Sequence, residues 1–238
     1  MVMEDEKIVE WTIEELRKVV DQERLEWSRG YYPSSLEILG VKVPDLRKVR
    51  KELGRKLKGR PPSDIVRISK RLVDTKIFEC QQVAYELLDS NRKALYSLSA
   101  EDLEDLRSGL DNWVSVDTYS GWLAGVAWRD GRLSDDVIEK WARSENRWER
   151  RTAVVCTIAL NQKARGGTGD VRRTLWVCGM VASDRDDMVE KALSWALREL
   201  SKIDRKPVIE FMEKHEDVLP KRVKREVSTK LMTGRKNG

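Results

Sequence analysis

The chain has 238 residues, with 46 Lys and Arg against 41 Asp and Glu, so the net charge is only +5. No apolar run approaches the ~20 residues that span a bilayer, and the acidic start MVMEDEKIVEW lacks a signal segment, which excludes membrane-spanning and secreted proteins. One His and three widely spaced Cys exclude Ser-His-Asp and Cys-His catalysis, a zinc site and a disulfide framework, so no metal or cofactor is expected.

Helix signals follow one another along the chain. Thr12 and Glu15 have capping-box spacing, which predicts that a helix starts there, and Ser99 with Asp102 repeats the pattern. Further helix starts are predicted at Pro44, at Pro61-Pro62-Ser63, at Asp111 or Asn112, and at Ser134. Further helices are predicted near residues 77–89, 146–162, 170–182, 186–202, 206–216 and 220–232.

Strand signals are weak, because no β-branched or aromatic run alternates with period two between turn residues. About a dozen helices joined by short loops predict an all-α fold, a curved solenoid of HEAT-like antiparallel helix pairs within a single domain over residues 1–238. A compact irregular helical bundle is the alternative, because the helices share no repeat consensus.

The small net charge conceals three basic segments. Residues 42–71 carry +9, residues 140–175 carry +6, and the C-terminal residues 219–238 carry +6. If these segments converge on one face, they suit a polyanion such as nucleic acid. The alternative is a set of ordinary solvated helix stripes, since a pattern does not establish convergence.

Tryptophan is overrepresented, with nine Trp against two Phe. Trp113 and Asp117 are four residues apart on a predicted helix, so they share one face. An indole beside a carboxylate suits a flat cationic ligand, whereas the alternative is a surface Asp near a half-buried Trp. Core positions are predicted for Trp122, Trp128 and Trp141.

Two later helices carry further candidates. Arg150 and Arg151 open the helix over TAVVCTIAL, where an Arg can bind a phosphate, although an ion pair with Glu145 or Glu149 is the alternative. Trp195 lies beside the apolar stripe of its helix, at a groove or at the edge of the core.

These residues carry a resemblance to a known family. The blocks LGVKVPDLRKVRK (39–51), LDNWVSVDTYS (110–120), RWERRTAVV (147–155) and VEKALSWALREL (189–200) resemble the AlkD-like DNA alkylation repair glycosylases, which are built from HEAT-like repeats. The resemblance covers about residues 12–232. It implies hydrolysis of the N-glycosidic bond of N3- and N7-alkylated purines in duplex DNA, without flipping the base.

The resemblance also implies roles for particular residues. Trp113 and Trp195 match the aromatic pair at the deoxyribose of the lesion, Asp117 matches the catalytic carboxylate, and Arg151 matches the phosphate-binding Arg. Predicted DNA contacts also include Arg150, Arg198 and one of Tyr31 and Tyr32. We expect a monomer that binds alkylated double-stranded DNA in the cytoplasm, associated with the nucleoid.

The resemblance is weaker at residues 31–38, YYPSSLEI, where the family has a more basic and aromatic stretch. The sequence therefore does not decide whether Tyr31 or Tyr32 is the residue that contacts DNA. A non-catalytic helical-repeat module that binds DNA or proteins remains the alternative function. A sequence-specific regulator is disfavoured, because no helix-turn-helix pattern is present.

Overall fold

The computed structural model describes the backbone of residues 2–235 and the side chains from residue 4. Helices account for nearly all of its regular structure, and the described residues form no strand beyond two isolated bridges, Val20 with Val41 and Glu37 with Ile77. The all-α prediction is therefore confirmed. Lys236, in the last basic segment, lies outside the described residues.

The chain forms two compact units, the first ending at Tyr119 and the second beginning at Ser120. The first unit contains α1 (Val2–Arg17), α2 (Gln22–Tyr31), α3 (Val43–Lys56), α4 (Pro62–Asp74), α5 (Phe78–Ser90), α6 (Arg92–Ser97), α7 (Ala100–Leu106) and α8 (Trp113–Tyr119). The second contains a π-helical turn (Ser120–Ala124), α9 (Gly125–Arg129), α10 (Asp135–Ala142), α11 (Arg147–Asn161), α12 (Val171–Met180), α13 (Asp187–Leu200), α14 (Lys206–Lys214) and α15 (Lys221–Thr233).

Apolar stripes at helical spacing decide which faces are buried. In the first unit α4 packs mainly on α5, with Ile65, Ile68 and Leu72 almost fully buried. In the second unit α11 packs mainly on α13. Gly125 allows α9 to lie close to α11, because a Cβ at that position would stand 2.6 Å from the carbonyl oxygen of Cys156.

Several helix-start predictions are confirmed, and one is wrong. Ser99 and Asp102 form the predicted capping box of α7. Thr12 instead lies inside α1, where its hydroxyl donates to the Ile8 carbonyl oxygen at 2.8 Å. Thr favours an N-cap because its hydroxyl can satisfy the backbone, but it can also bond back to the fourth preceding carbonyl within a helix. The sequence spacing does not separate these two outcomes.

The sequence predicts a single helix over residues 113–128. In the structure, the π-helical turn Ser120–Ala124 separates α8 from α9. The core predictions hold for Trp128 and Trp141, which are 1% and 2% exposed. Trp122, within the π-helical turn, is half-buried, with the Arg165 guanidinium 4.4 Å from its ring centroid.

All three cysteines are buried and free, and burial raises the pKa of each thiol.

Glu79 ties the LGV block to the body of the first unit. This carboxylate is 1% exposed and accepts the backbone N–H groups of Leu39, Gly40 and Val41 at 2.9, 2.8 and 3.1 Å. Buried donors without partners are costly, so the carboxylate replaces the hydrogen bonds that a strand or helix would provide. The LGV block is thereby fixed immediately before α3.

Glu79→Ala is expected to lower the free energy of unfolding by about 3 kcal/mol or more, because three buried N–H groups lose their acceptor and each costs ~1–3 kcal/mol. Urea unfolding followed by circular dichroism measures the change. Glu104→Ala, which removes an exposed ion pair with Arg107 in the same unit, is the matched control and should change little. Equal losses in the two variants would contradict the role of Glu79.

Candidate functional site

The start of α8 places Trp113 and Asp117. Asn112 caps this helix, because its side-chain oxygen accepts the Ser115 N–H at 2.9 Å, which decides the choice that the sequence left open. Trp113 is then the first helical residue, and Asp117 lies one turn later on the same face. Asp117 is half-buried and interacts with the surrounding chain.

The indole of Trp113 is held in place from two sides. It packs against a buried cluster formed by Tyr32, Leu36, Ile38 and Phe78. Its Nε1 donates to the Tyr31 carbonyl oxygen at 3.3 Å, and its ring meets the Tyr31 ring edge to face, with centroids 5.3 Å apart. Trp113 is nevertheless only half-buried, so an oriented part of the indole remains accessible.

The structure distinguishes the two tyrosines. Tyr31 is 53% exposed, whereas Tyr32 is 3% exposed and stacks on Phe78 with centroids 4.8 Å apart. The Tyr32 hydroxyl donates to Ser28 Oγ at 2.7 Å, and burial raises the pKa of Tyr32 despite this bond. Tyr32 is thus a core residue, and Tyr31 is the tyrosine that can contact a ligand.

A cavity of about 180 Å³ lies in the first unit beside Trp113, and one of the residues that line it, Trp27, was not predicted from the sequence. Trp27 on α2 lines this cavity with Tyr31 and Tyr32, and its ring centroid lies 4.4 Å from that of Tyr31. The Arg24 guanidinium covers Trp27 at 4.1 Å from the ring centroid. The available signal was Asp21, which caps α2 by accepting the Arg24 N–H. A helix begun there places Trp27 and Tyr31 one turn apart.

In the second unit, Arg150 has a structural role. Its Nε donates to Asp184 Oδ2 at 2.6 Å, and its Nη1 donates to the carbonyl oxygens of Ser144 and Glu145 at 2.9 and 2.8 Å. The ion pair is therefore with Asp184 rather than with the acids expected from the sequence. Arg150 ties the start of α11 to the turns before α11 and α13, and these bonds use three of the five N–H groups of the guanidinium that was predicted to contact DNA.

Arg151 points inward. It is 5% exposed, and its Nη1 donates to the Met188 carbonyl oxygen in the first turn of α13. Trp195 follows Met188 by seven residues, two turns further along the same helix, and is half-buried between the buried Ser194 and Ala196. Arg151 is thus anchored to the helix that carries Trp195.

Arg198 connects α13 to α15. Its Nε donates to Ser194 Oγ at 3.2 Å, and its guanidinium lies 3.8 Å from Glu226. Burial lowers the pKa of Arg198, which Glu226 partly offsets. The side chain is only 13% exposed, so Arg198 mainly holds these two helices together.

Much of the first basic segment is neutralised inside its own unit. Arg67 pairs with Asp5 at 2.6 Å, and Lys70 pairs with Asp102 and Asp105 at 3.0 and 2.6 Å. Further pairs join Arg60 to Glu4 and Asp5, and Arg71 to Glu6. The exposed Lys51 and Arg55 on α3, and the exposed Lys58 just after it, have no carboxylate partner among the described residues, so these cations remain available to a polyanion. Lys56 also lacks a carboxylate partner, but its ammonium group lies over the Trp11 ring.

The candidate residues thus form two groups, with Trp27, Tyr31, Trp113 and Asp117 in the first unit and Arg151 and Trp195 in the second. Across residues 4–235, no three His, Cys, Asp or Glu side chains cluster as a metal site would require. None of the described helices is long and apolar enough to cross a membrane.

Comparison with known proteins gives three findings. The structure is similar to that of a predicted DNA alkylation repair enzyme from Enterococcus faecalis, with a TM-score of 0.72, 20% sequence identity, and coverage of 90% of this chain and 97% of that chain. No curated protein matches the sequence. The sequence pattern of the DNA alkylation repair enzymes matches residues 12–231, nearly the whole chain. The protein therefore belongs to the DNA alkylation repair enzyme family.

Proposed function

We propose that the protein is a DNA glycosylase that hydrolyses the N-glycosidic bond of cationic N3- or N7-alkylated purines in duplex DNA, with the damaged base left in the stack. The observation that carries this proposal is the pairing on α8 of an oriented, half-accessible indole, Trp113, with a half-buried carboxylate, Asp117. Family membership supports a role in alkylation repair.

The chemistry suits this pair, because the leaving group already carries a positive charge. As the C1′–N bond breaks, the bonding electrons neutralise the purine and the positive charge moves to the sugar, giving an oxocarbenium-like transition state. Asp117 stabilises that charge and orients a water, which adds to C1′ and releases one proton. The products are the neutral alkylated base and an abasic site.

The aromatic groups contribute to the same step. The π-face of an indole attracts a cation, by about 0.5–1 kcal/mol when exposed and about 2 kcal/mol or more when desolvated. Trp113 would therefore stabilise the sugar as charge develops on it, and the family resemblance assigns the same role to Trp195. The family resemblance assigns the backbone phosphate of the damaged strand to Arg151, which is almost buried, so this role requires its guanidinium to become accessible when DNA binds. This reaction needs no general acid, which accords with a chain that has one His.

The direct test is base release. Duplex DNA with a single N7-methylguanine or N3-methyladenine is incubated with the protein, and the free base is measured by chromatography. We expect single-turnover release far above the spontaneous rate and none from undamaged guanine. Binding to the duplex without release would instead support the non-catalytic module, and release no faster than without protein would overturn the proposal.

A further inference from the structure

The segment Tyr31–Leu36 begins at the end of α2, where the sequence departs from the family resemblance. The Asp111 carboxylate accepts two hydrogen bonds from this segment. Ser34 Oγ donates to Asp111 Oδ1 at 2.5 Å, and the Ser35 N–H donates to Asp111 Oδ2 at 2.5 Å. Both oxygens of Asp111 are thus used by two successive residues of the segment. The contact joins residues more than seventy positions apart in the chain.

The next two residues of the chain continue this attachment. Asn112 Nδ2 donates to Ser34 Oγ at 3.4 Å, and Trp113 Nε1 donates to the Tyr31 carbonyl oxygen at 3.3 Å. Ser34 Oγ also accepts the Leu36 N–H at 3.1 Å, so its one donor and two acceptor positions are all occupied. Three consecutive residues before and at the start of α8 therefore bind one loop.

Asp111 is not needed to begin α8, since Asn112 provides the cap. Nor does it pair with a Lys or Arg within the part of the chain that the structure describes. Burial raises the pKa of Asp111, but the hydrogen bonds from Ser34, Ser35 and Asn112 outweigh this effect and hold the pKa below its ordinary value. The carboxylate is therefore ionised at neutral pH and accepts from the segment.

We propose that Asp111 is a positioning residue, which fixes the segment Tyr31–Leu36 so that Tyr31 and Trp113 keep their edge-to-face arrangement beside the candidate site. The inference rests on the proposed glycosylase function for its catalytic consequence. Tyr31 is more than half exposed, so packing alone holds its ring weakly. Asp111 acts through the backbone of the segment and does not contact the substrate.

Three variants test this role. Asp111→Ala removes the acceptor, and Asp111→Asn keeps the shape but removes the charge, which guards against a failure of the Ala variant to fold. Asp102→Ala is the matched control, because the Asp102 carboxylate accepts from the N–H and the hydroxyl of Ser99 at the start of α7 and has no contact with the segment. Urea unfolding measures the stability of each variant.

The first readout is independent of catalysis. The indole N–H resonance of Trp113, assigned by its loss in Trp113→Phe, reports the bond to the Tyr31 carbonyl oxygen. We expect it to shift in both Asp111 variants and to stay unchanged in Asp102→Ala. An unchanged resonance in folded Asp111 variants would overturn the positioning role. This result stands even if the wild-type protein releases no base, an outcome that would overturn only the proposed function.

The second readout is single-turnover base release against protein concentration. In Asp111→Ala the half-saturating concentration should rise about tenfold, with a smaller change in the limiting rate, because the contact that Tyr31 would lose is an aromatic contact with a nucleotide, whose removal has an effect of this order. In a Tyr31→Ala background, Asp111→Ala should add little, since both changes act on one contact. The proposal would be overturned if the effects of Tyr31→Ala and Asp111→Ala multiplied in the double variant. It would also be overturned if Asp102→Ala raised the half-saturating concentration as much as Asp111→Ala does.

Discussion

Asp117→Asn is expected to slow base release by about a hundredfold to a thousandfold, the cost of removing one electrostatic group aimed at the transition state. The amide has the same shape as the carboxylate, but it neither stabilises the developing sugar cation nor accepts the proton of the attacking water. Affinity for lesion-containing duplex DNA should stay within about threefold, because phosphate contacts dominate binding. Single-turnover release and fluorescence anisotropy measure the two quantities.

Asp102→Asn is the control for this substitution. It also removes one carboxylate charge from the first unit, but at the capping box of α7, so release should stay near the wild-type rate. Asp117 interacts with the surrounding chain, so its variant is also compared by urea unfolding. A folded Asp117→Asn protein that releases base as fast as the wild type would show that the reaction uses another carboxylate.

Trp113→Ala and Trp195→Ala are each expected to lower kcat/KM for base release by about tenfold to a hundredfold, since a desolvated cation–π contact with the developing sugar cation contributes about 2 kcal/mol or more. Trp113→Phe should recover only part of the loss. It restores an aromatic face but not the bond from Nε1 to the Tyr31 carbonyl oxygen. Steady-state kinetics on duplexes with N7-methylguanine measure the three variants.

The controls are half-buried indoles in the same units. Trp11 lies on α1 under the Lys56 ammonium group, and Trp176 lies on α12 in the second unit. Their Ala variants lose similar packing, so any difference in kcat/KM reports the position of the indole. If Trp113→Ala and Trp11→Ala lose equal activity, the aromatic role assigned to Trp113 is wrong.

Local signals in the sequence located most helices, because capping and apolar periodicity act over a few residues. The Ser99 capping box and the Pro44 start of α3 follow directly from such patterns. The same reasoning misplaced the start of α1, since a Thr hydroxyl bonds equally well to a backbone N–H ahead of it or to a carbonyl behind it. It also missed α2, whose only buried side chain is Ser28, so that no buried apolar stripe marks this helix.

Burial of charged and aromatic side chains was less predictable. Sequence placed Arg150 at the start of α11 but not its bond to Asp184, thirty-four residues away. The sequence also made Tyr31 and Tyr32 equal candidates for a DNA contact, although only Tyr31 is exposed. Adjacent residues at the end of a helix point in different directions, and which direction meets the core depends on elements that are distant in the chain.

The sequence by itself determined the helical class, the family, and the order of Trp113, Asp117, Arg151 and Trp195 along the chain. These follow from periodicity and from short blocks of residues, which need no knowledge of distant contacts. Only the tertiary structure decided that Asp111 holds Ser34 and Ser35, that Arg151 reaches the Met188 carbonyl oxygen, and that Trp27 lines the cavity beside Trp113. Each contact joins segments that are distant in the chain, and the packing of the apolar helix faces decides which segments meet.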